Sequence, residues 1–470
     1  PAAVYDNLSK LTAPSYVHKP FVDGTPSAGD AYIGGAWKSV LLGSLGGGGK
    51  AIFALDITTP TAMGAGQVMW EFKDANDLGH TVGQAQIARL NNGVWAAIFA
   101  NGYNSTSDRA YLYLVNLQTG ALIKKIPAGV STSNGLSTPV LYDSDGDKTV
   151  DAVYAGDAQG NMWKFDLTGS NVTTWAVANS GQPLFTARNA SNQVQPITSQ
   201  PRIGAHSSGG VLVHFGTGQY LTAADTSSAE VQSYYAIWDN GSPVTTTDRS
   251  ELQAQTIVAE TIEFGKSVRE TSANTVDWAG GKRGWYLDLL PPLGSGGERI
   301  TVRPLLIYDR VLFVTRKPST DQCVPGGESW IMQLDAEAGA RYATSVFDLN
   351  NDNAFTADDN LASGHVASGI KTTVGIASTP VFLTGTGGGY GGASGEVGAL
   401  GTPVSSSTTT PPSNPSPDYG IVSGTSGNTE TFKIAPSPDP CLGASPPPSC
   451  TGGGGGGGGI PIRVYWQQIL

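Results

Sequence analysis

Charge is what this chain has least of. Of 470 residues only 14% are Asp, Glu, Lys or Arg, and 38 acidic residues outnumber 27 basic ones, for a net charge of -11. No stretch gathers Lys and Arg into a phosphate-binding face, which argues against a nucleic-acid partner. Long apolar runs are absent too. Nothing approaches the roughly 18 consecutive apolar residues that a membrane-spanning helix needs, so no membrane span is expected. Enzyme signatures are equally sparse: there is no G-x-S-x-G nucleophile turn and no H-E-x-x-H. The five histidines (His18, His80, His206, His214, His365) stand apart, none at metal-ligand spacing from another. His214, inside the apolar run VLVHFGTG, reads as a core residue. The expectation is a protein without catalysis.

Cysteine is nearly missing, with three in the chain. Cys441 and Cys450 enclose eight residues rich in Pro and Ser, and a disulfide between them would pin that loop. Cys323 is then left over, or pairs with one of them or with a segment outside this chain. The chain starts at Pro1 with neither Met nor a signal-like segment, so a fragment of a longer precursor is expected. Two Gly-rich stretches invite phosphate-loop readings and fail. In GSLGGGGKA (43–51) Ala51 stands where Ser or Thr would hold magnesium, and Gly387, Gly389 and Gly392 lie in a low-complexity tract with no helix to follow.

What is abundant is glycine, with 63 residues, and short apolar runs bounded by turns. After a loop-rich opening over residues 1–34 come WKSVLLGSLG, KAIFALDI, GQVMWEF, QAQIARL, VWAAIFANGY, RAYLYLVNL, GALIKKI, STPVLYD, DAVYAGD and GNMWKFDL. Runs of this length, rich in Val, Ile, Tyr, Phe and Trp, predict antiparallel strands. A weak repeat runs through them, an apolar strand ending in Asp or Asn: Asp56, Asn116, Asp166, Asp239, Asp288 and Asp335, at spacings of 60, 50, 73, 49 and 47 residues. A period near 50 built of strands is the size of a four-stranded propeller blade, and stacking blades around an axis buries both faces of each. The fold class expected is therefore all-β, a β-propeller of six to eight blades over residues 1–383.

From 384 to 459 the composition turns to Gly, Ser and Pro and cannot bury a core of its own, apart from one apolar strand around Phe432 to Ile434. Residues 460–470, IPIRVYWQQIL, return to strand character. They would close the ring by completing the first blade, leaving no free sheet edge.

The densest chemistry lies in two acidic loops. In DSDGDKTVD, Asp143, Asp145, Asp147 and Asp151 occupy positions 1, 3, 5 and 9, with the Thr149 carbonyl at 7, an oxygen cage suited to calcium. Four carboxylates on nine residues repel strongly without a cation. The loop departs from an EF-hand, since Gly146 is at position 4 rather than 6, Tyr154 takes position 12, and a strand follows. The second loop, DLNNDNAFTADD, fits the 12-residue template better. Asp348, Asn350 and Asp352 take positions 1, 3 and 5, the Ala354 carbonyl takes 7 and Asp359 takes 12, with Asn353 at the sharp turn. It is a second candidate metal site.

The segments FVDGTPSAGDAYIGGAWKSVLLGSLGGGGKAIFALDIT, WEFKDANDLGHTVGQAQIARLNNGVWAAIFANGYNS and VDAVYAGDAQGNMWKFDL, continuing through HFGTGQYL, GWYLDL, GERI and CVPGGESWIMQLDAEAG to RVYWQQIL, resemble the C-terminal domain of the PilY/PilC family of type IV pilus proteins. The resemblance covers nearly the whole chain outside the low-complexity insertion. It implies a modified seven-bladed β-propeller exported through the periplasm to the bacterial cell surface, at the pilus tip. The implied roles are pilus biogenesis, calcium-dependent control of extension and retraction, and adhesion. Implied partners are minor pilins or an upstream adhesive domain, and a host surface receptor or glycan. The family's calcium loop, D-x-[DN]-x-D-x-x-x-D, is matched position by position by Asp143, Asp145, Asp147 and Asp151. The first blade would then lack strands that precede this chain. The long insertion before the last strand departs from the family pattern.

Two other functional classes compete with this reading. A quinoprotein-like dehydrogenase shares blades with TG turns and a calcium ion, but such enzymes usually carry an adjacent cysteine pair that this chain lacks. A glycan-binding lectin is the other, and a glycan array would discriminate it.

Overall fold

A computed structural model of the protein describes residues 1–245, 248–307, 309–319, 326–383 and 417–436. Cys323, Cys441, Cys450 and the closing strand expected over 460–470 lie outside the described residues.

Six sheets follow one another among the described residues. The first runs Ser27–Ile33, Ala36–Ser44, Ile52–Asp56 and Val68–Phe72, and the second runs Gln86–Arg89, Trp95–Ala100, Tyr111–Asn116 and Leu122–Pro127, each an antiparallel meander. The third is built on Val140–Tyr142, Ala152–Gly156, Asn161–Asp166 and Ala176–Val177. The fourth takes Arg202–Ala205, Val211–Gly216, Ser233–Asp239 and Gly284–Asp288, with Gln253–Gln255 added in parallel outside the last. The fifth has Leu305–Ile307, Arg310–Pro318, Gly327–Asp335 and Gly369–Lys371, and the sixth has Val381–Leu383, Asp418–Ser423 and Thr429–Ile434.

The opening differs from the sequence reading. Residues 1–34 are not all loop: Ala2–Thr12 is a 3-10 helix, and Ser27–Ile33 pairs along its length with Ala36–Leu42, so the first sheet has four strands within this chain. The strand was missed because SAGDAYI carries only two large apolar side chains, Tyr32 and Ile33. The sixth sheet also reaches into the Gly/Ser/Pro-rich stretch, whose apolar segment forms the hairpin Asp418–Ser423 with Thr429–Ile434.

Side chains alternate across each strand, and here both faces are covered. Leu112 and Leu114 of the second sheet pack with Val153, Trp163 and Phe165 of the third. On the other face Tyr113 and Val115 pack with Val40 and Leu42 of the first. The same pattern continues with Met162, Phe215 and Tyr235 between the third and fourth sheets, and Tyr234, Trp285 and Phe313 between the fourth and fifth. Val314, Ile331, Val422 and Phe432 lie between the fifth and sixth. This two-sided burial explains why the strands read as near-continuous apolar runs.

The Asp/Asn repeat has a local cause. Asp56, Asn116, Asp166, Asp239 and Asp335 each end the third strand of their sheet. Each carboxylate or amide oxygen accepts a backbone N–H two or three residues on, from Thr58 (3.0 Å), Gln118 (2.9 Å), Thr168 (2.9 Å), Gly241 (2.9 Å) and Ala338 (2.5 Å) respectively. The Asx turn starts the reversal toward the fourth strand. Asp288 breaks the pattern: it ends the fourth strand of its sheet and holds Arg249 at 2.7 Å.

The long interval inside the fourth sheet is an insertion that serves its neighbour. Its hairpin, Ile257–Glu263 with Lys266–Thr271, joins the outer edge of the fifth sheet beside Gly369–Lys371. Arg269 fastens it there. Its buried guanidinium donates to both oxygens of Glu298 (2.6 and 2.7 Å) and lies 4.0 Å from the Trp330 ring centre.

Candidate metal centre

The first acidic loop is the hairpin between the first two strands of the third sheet, Val140–Tyr142 and Ala152–Gly156. Ligand atoms of Asp143, Asp145 and Asp151 lie within 4.8 Å of one another. Asp147 is not part of that group. Its Oδ1 accepts from the Thr149 amide (2.7 Å) and hydroxyl (2.6 Å).

The backbone is shaped by the same carboxylates. Asp143 accepts from the amides of Gly146 (2.5 Å) and Lys148 (3.0 Å), and Asp145 from that of Asp147 (3.1 Å). Gly146 and Lys148, at positions 4 and 6, both have positive φ, 83° and 73°. The turn that usually takes Gly at position 6 is made here by a lysine. Such a conformation is costly for an L residue, and the bond to Asp143 helps to hold it.

Asp151, only 6% exposed, is secured from two directions. Its Oδ2 accepts from the amide and hydroxyl of Ser144 (2.8 and 2.6 Å), and its Oδ1 from the Asn91 amide (3.1 Å). Asn91 belongs to the second sheet's first turn. It also donates to the Val150 and Leu167 carbonyls, and its Oδ1 lies 2.9 Å from the Thr149 hydroxyl, whose one proton it shares with Asp147. Sequence reasoning missed this residue; the only local signal was the NNG turn at 91–93, which says nothing of a partner some 60 positions away. Hydrogen bonds from Thr149, with the charge of Arg89 nearby, hold the Asp147 carboxyl below its ordinary pKa. Among the described residues, none of the four aspartates forms an ion pair.

The second loop repeats the backbone and changes the charge. Asn351 and Asn353, again at positions 4 and 6, have φ of 64° and 65°. Asp348 accepts from the amides of Asp352 and Asn353 (both 3.1 Å), and Asp352 from that of Ala354 (2.7 Å). Asn350 accepts from the Asp352 amide (2.9 Å) and donates to the Asp352 carboxylate (3.0 Å). Asp359 folds back to accept from the amides of Leu349 (2.8 Å) and Asn350 (3.2 Å). Two lysines close on this loop. Lys433, from the sixth sheet's hairpin, puts its ammonium 3.0 Å from the fully buried Asp348 carboxylate, and Lys266 donates to the Leu349 carbonyl (2.9 Å).

His214 is fully buried, and neither ring nitrogen has a partner among the described residues. Burial pushes its pKa down to about 3, and the ring lies in the core.

The family model described as the PilY1 beta-propeller domain matches residues 1–264. A type IV pilus biogenesis factor PilY1 homolog from Xylella fastidiosa is 40% identical over 359 residues, covering 72% of this chain and 24% of that protein. Type IV pilus biogenesis factor PilY1 from Pseudomonas aeruginosa is 36% identical over 390 residues, covering 74% of this chain and 33% of that protein. The crystal structure of the Pseudomonas aeruginosa PilY1 C-terminal domain superimposes with a TM-score of 0.74 at 29% identity, over 93% of this chain and 88% of that one. The chain thus spans about a quarter to a third of the length of the curated relatives it matches. It belongs to the PilY1 β-propeller family.

Proposed function

We propose that this member of the PilY1 propeller family is the non-catalytic, calcium-binding part of a type IV pilus tip protein, displayed at the bacterial surface. In this reading it supports pilus biogenesis, control of extension and retraction, and surface adhesion. Its partners are minor pilins or an adhesive domain of the same protein, and a host receptor or glycan. Residues 1–383 supply the blades and the hairpin at 418–434 extends them.

The observation that carries the calcium assignment is the convergence of Asp143, Asp145 and Asp151 with no ammonium against them among the described residues. Oxygen donors, several of them charged, are the set a hard divalent cation takes. Calcium, when bound, supplies positive charge that lets the three carboxylates sit together. Asp151 and Thr149 are tied through Asn91 to the second sheet, so ordering the loop also fixes the seam between two blades. At the second loop the Lys433 ammonium already meets Asp348, and in our reading it takes the place of a metal.

The cellular test replaces Asp143 and Asp145 by Ala in the full-length protein. Loss of calcium-dependent pilus extension with normal protein abundance supports the reading. Extension that stays calcium-dependent in the variant removes it.

A further inference from the structure

One cavity is lined by the chain segments that lead into the first strand of each successive sheet. It has a volume of about 580 Å³, and Ser27, Gln84, Thr138, Gln200, Arg303 and Thr379 each reach it from a different sheet. Residues contributed by all six sheets can meet only around the common axis, so this is the axial channel.

Its lining is mixed in polarity and one-sided in charge. Hydroxyl and amide side chains alternate with a few apolar ones, Leu41 and Val82 among them; among the described residues no Asp, Glu or aromatic ring takes part, and Arg303 is the one charged residue. Among the described residues Arg303 forms no hydrogen bond or ion pair. This is unlike its neighbours: Arg316 donates to the Ala377 carbonyl (2.6 and 2.9 Å) and Arg299 to several carbonyls. A guanidinium held partly out of water without a partner is costly. Burial, with Arg202 nearby, lowers its pKa to about 10, which still leaves it charged at neutral pH. Two of the lining hydroxyls are free to donate. Thr138 Oγ1 accepts from the Gln84 amide (3.3 Å) and Thr301 Oγ1 from Arg316 (3.0 Å), which leaves each with its own proton to offer.

We propose that the axial channel binds a small hydroxylated carboxylate of the sugar-acid class, its carboxylate on the Arg303 guanidinium and its hydroxyls among the channel's Thr, Ser and Gln side chains. The planar guanidinium fork matches a carboxylate, the hydroxyl and amide lining matches a polyol, and the volume lies within the usual range for small-ligand cavities. Without an aromatic wall there is nothing on which a flat ring could stack.

The test is titration calorimetry with melting curves on the intact chain, using D-glucuronate, D-glucose, acetate and inorganic phosphate as probes, in EDTA so that metal binding plays no part. Saturable binding of glucuronate, none of glucose, and at least a ten-fold loss in Arg303→Gln are expected, since a charge-assisted bidentate contact is removed. Arg303→Lys should keep the charge, lose the fork and bind with intermediate affinity. Arg303→Gln should melt no lower than the parent without ligand, because it removes an unpaired cation. Absence of glucuronate binding to the parent, or equal binding by Arg303→Gln, overturns the proposal. Phosphate or acetate binding as tightly as glucuronate overturns the sugar-acid class.

Discussion

The two acidic loops share a backbone and differ in what faces their carboxylates. Both place residues of positive φ at positions 4 and 6 and fold around the aspartate at position 1. The loop at 348–359, the closer match to the 12-residue template, has a lysine ammonium 3.0 Å from its first aspartate. The loop at 143–151, the poorer match, brings three carboxylates together with no such partner among the described residues. A template records ligand types and spacing, and says nothing of a counter-charge arriving from elsewhere in the chain. Lys433 lies 85 positions from the Asp348 it pairs with, and Lys266 lies 83 from the Leu349 carbonyl it meets.

The sharpest way to break the comparison is to remove the ammonium. Lys433→Met leaves the buried Asp348 carboxylate without its counter-charge, and urea unfolding should report a loss of about 3 kcal/mol. Added calcium should restore part of that loss by entering the second loop. A variant that is destabilised but gains no calcium response would show that the two loops differ by more than charge.

Asn91→Ala should cost about 1–2 kcal/mol, because it strips hydrogen bonds from Asp151, Thr149 and two backbone carbonyls. It should also weaken calcium binding at the first loop. Unaltered calcium affinity would mean that the second sheet plays no part in shaping the site.

The smallest expected effect concerns pH. The Asp147 pKa is lowered from its ordinary value of 3.8, so any stability it contributes is present above pH 3.8 and lost as pH falls through the lower, folded-state value. Asp147→Asn should therefore lower the unfolding midpoint slightly above about pH 5, and the two proteins should converge in acid, where the parent's carboxylate is protonated. A gap that persists in strong acid would show that the Asp147 contribution does not depend on its charge.

Much of the fold was legible in the sequence because its signals are local. Strands buried on both faces read as apolar runs, and third strands end in Asp or Asn because the Asx turn needs that side chain. The exception, Asp288, is set by the insertion that delivers Arg249, which no spacing could show. A second repeat went unread: STPV at 137–140 and again at 378–381, with SQPR at 199–202 and VRPL at 302–305, leads into the first strands of four sheets and lines the axis. At the metal centre the ligand positions were legible, whereas Lys148 as the left-handed residue, Asn91 as the clamp and Lys433 as the counter-charge all depend on tertiary placement.

The central claim is that calcium enters the loop at 143–151 and not the one at 348–359. Calcium stoichiometry by equilibrium dialysis, on the parent chain and on Asp143→Ala combined with Asp145→Ala, tests it most directly. One bound ion in the parent and none in the double variant is predicted. Two ions in the parent, or one retained after both substitutions, would contradict it.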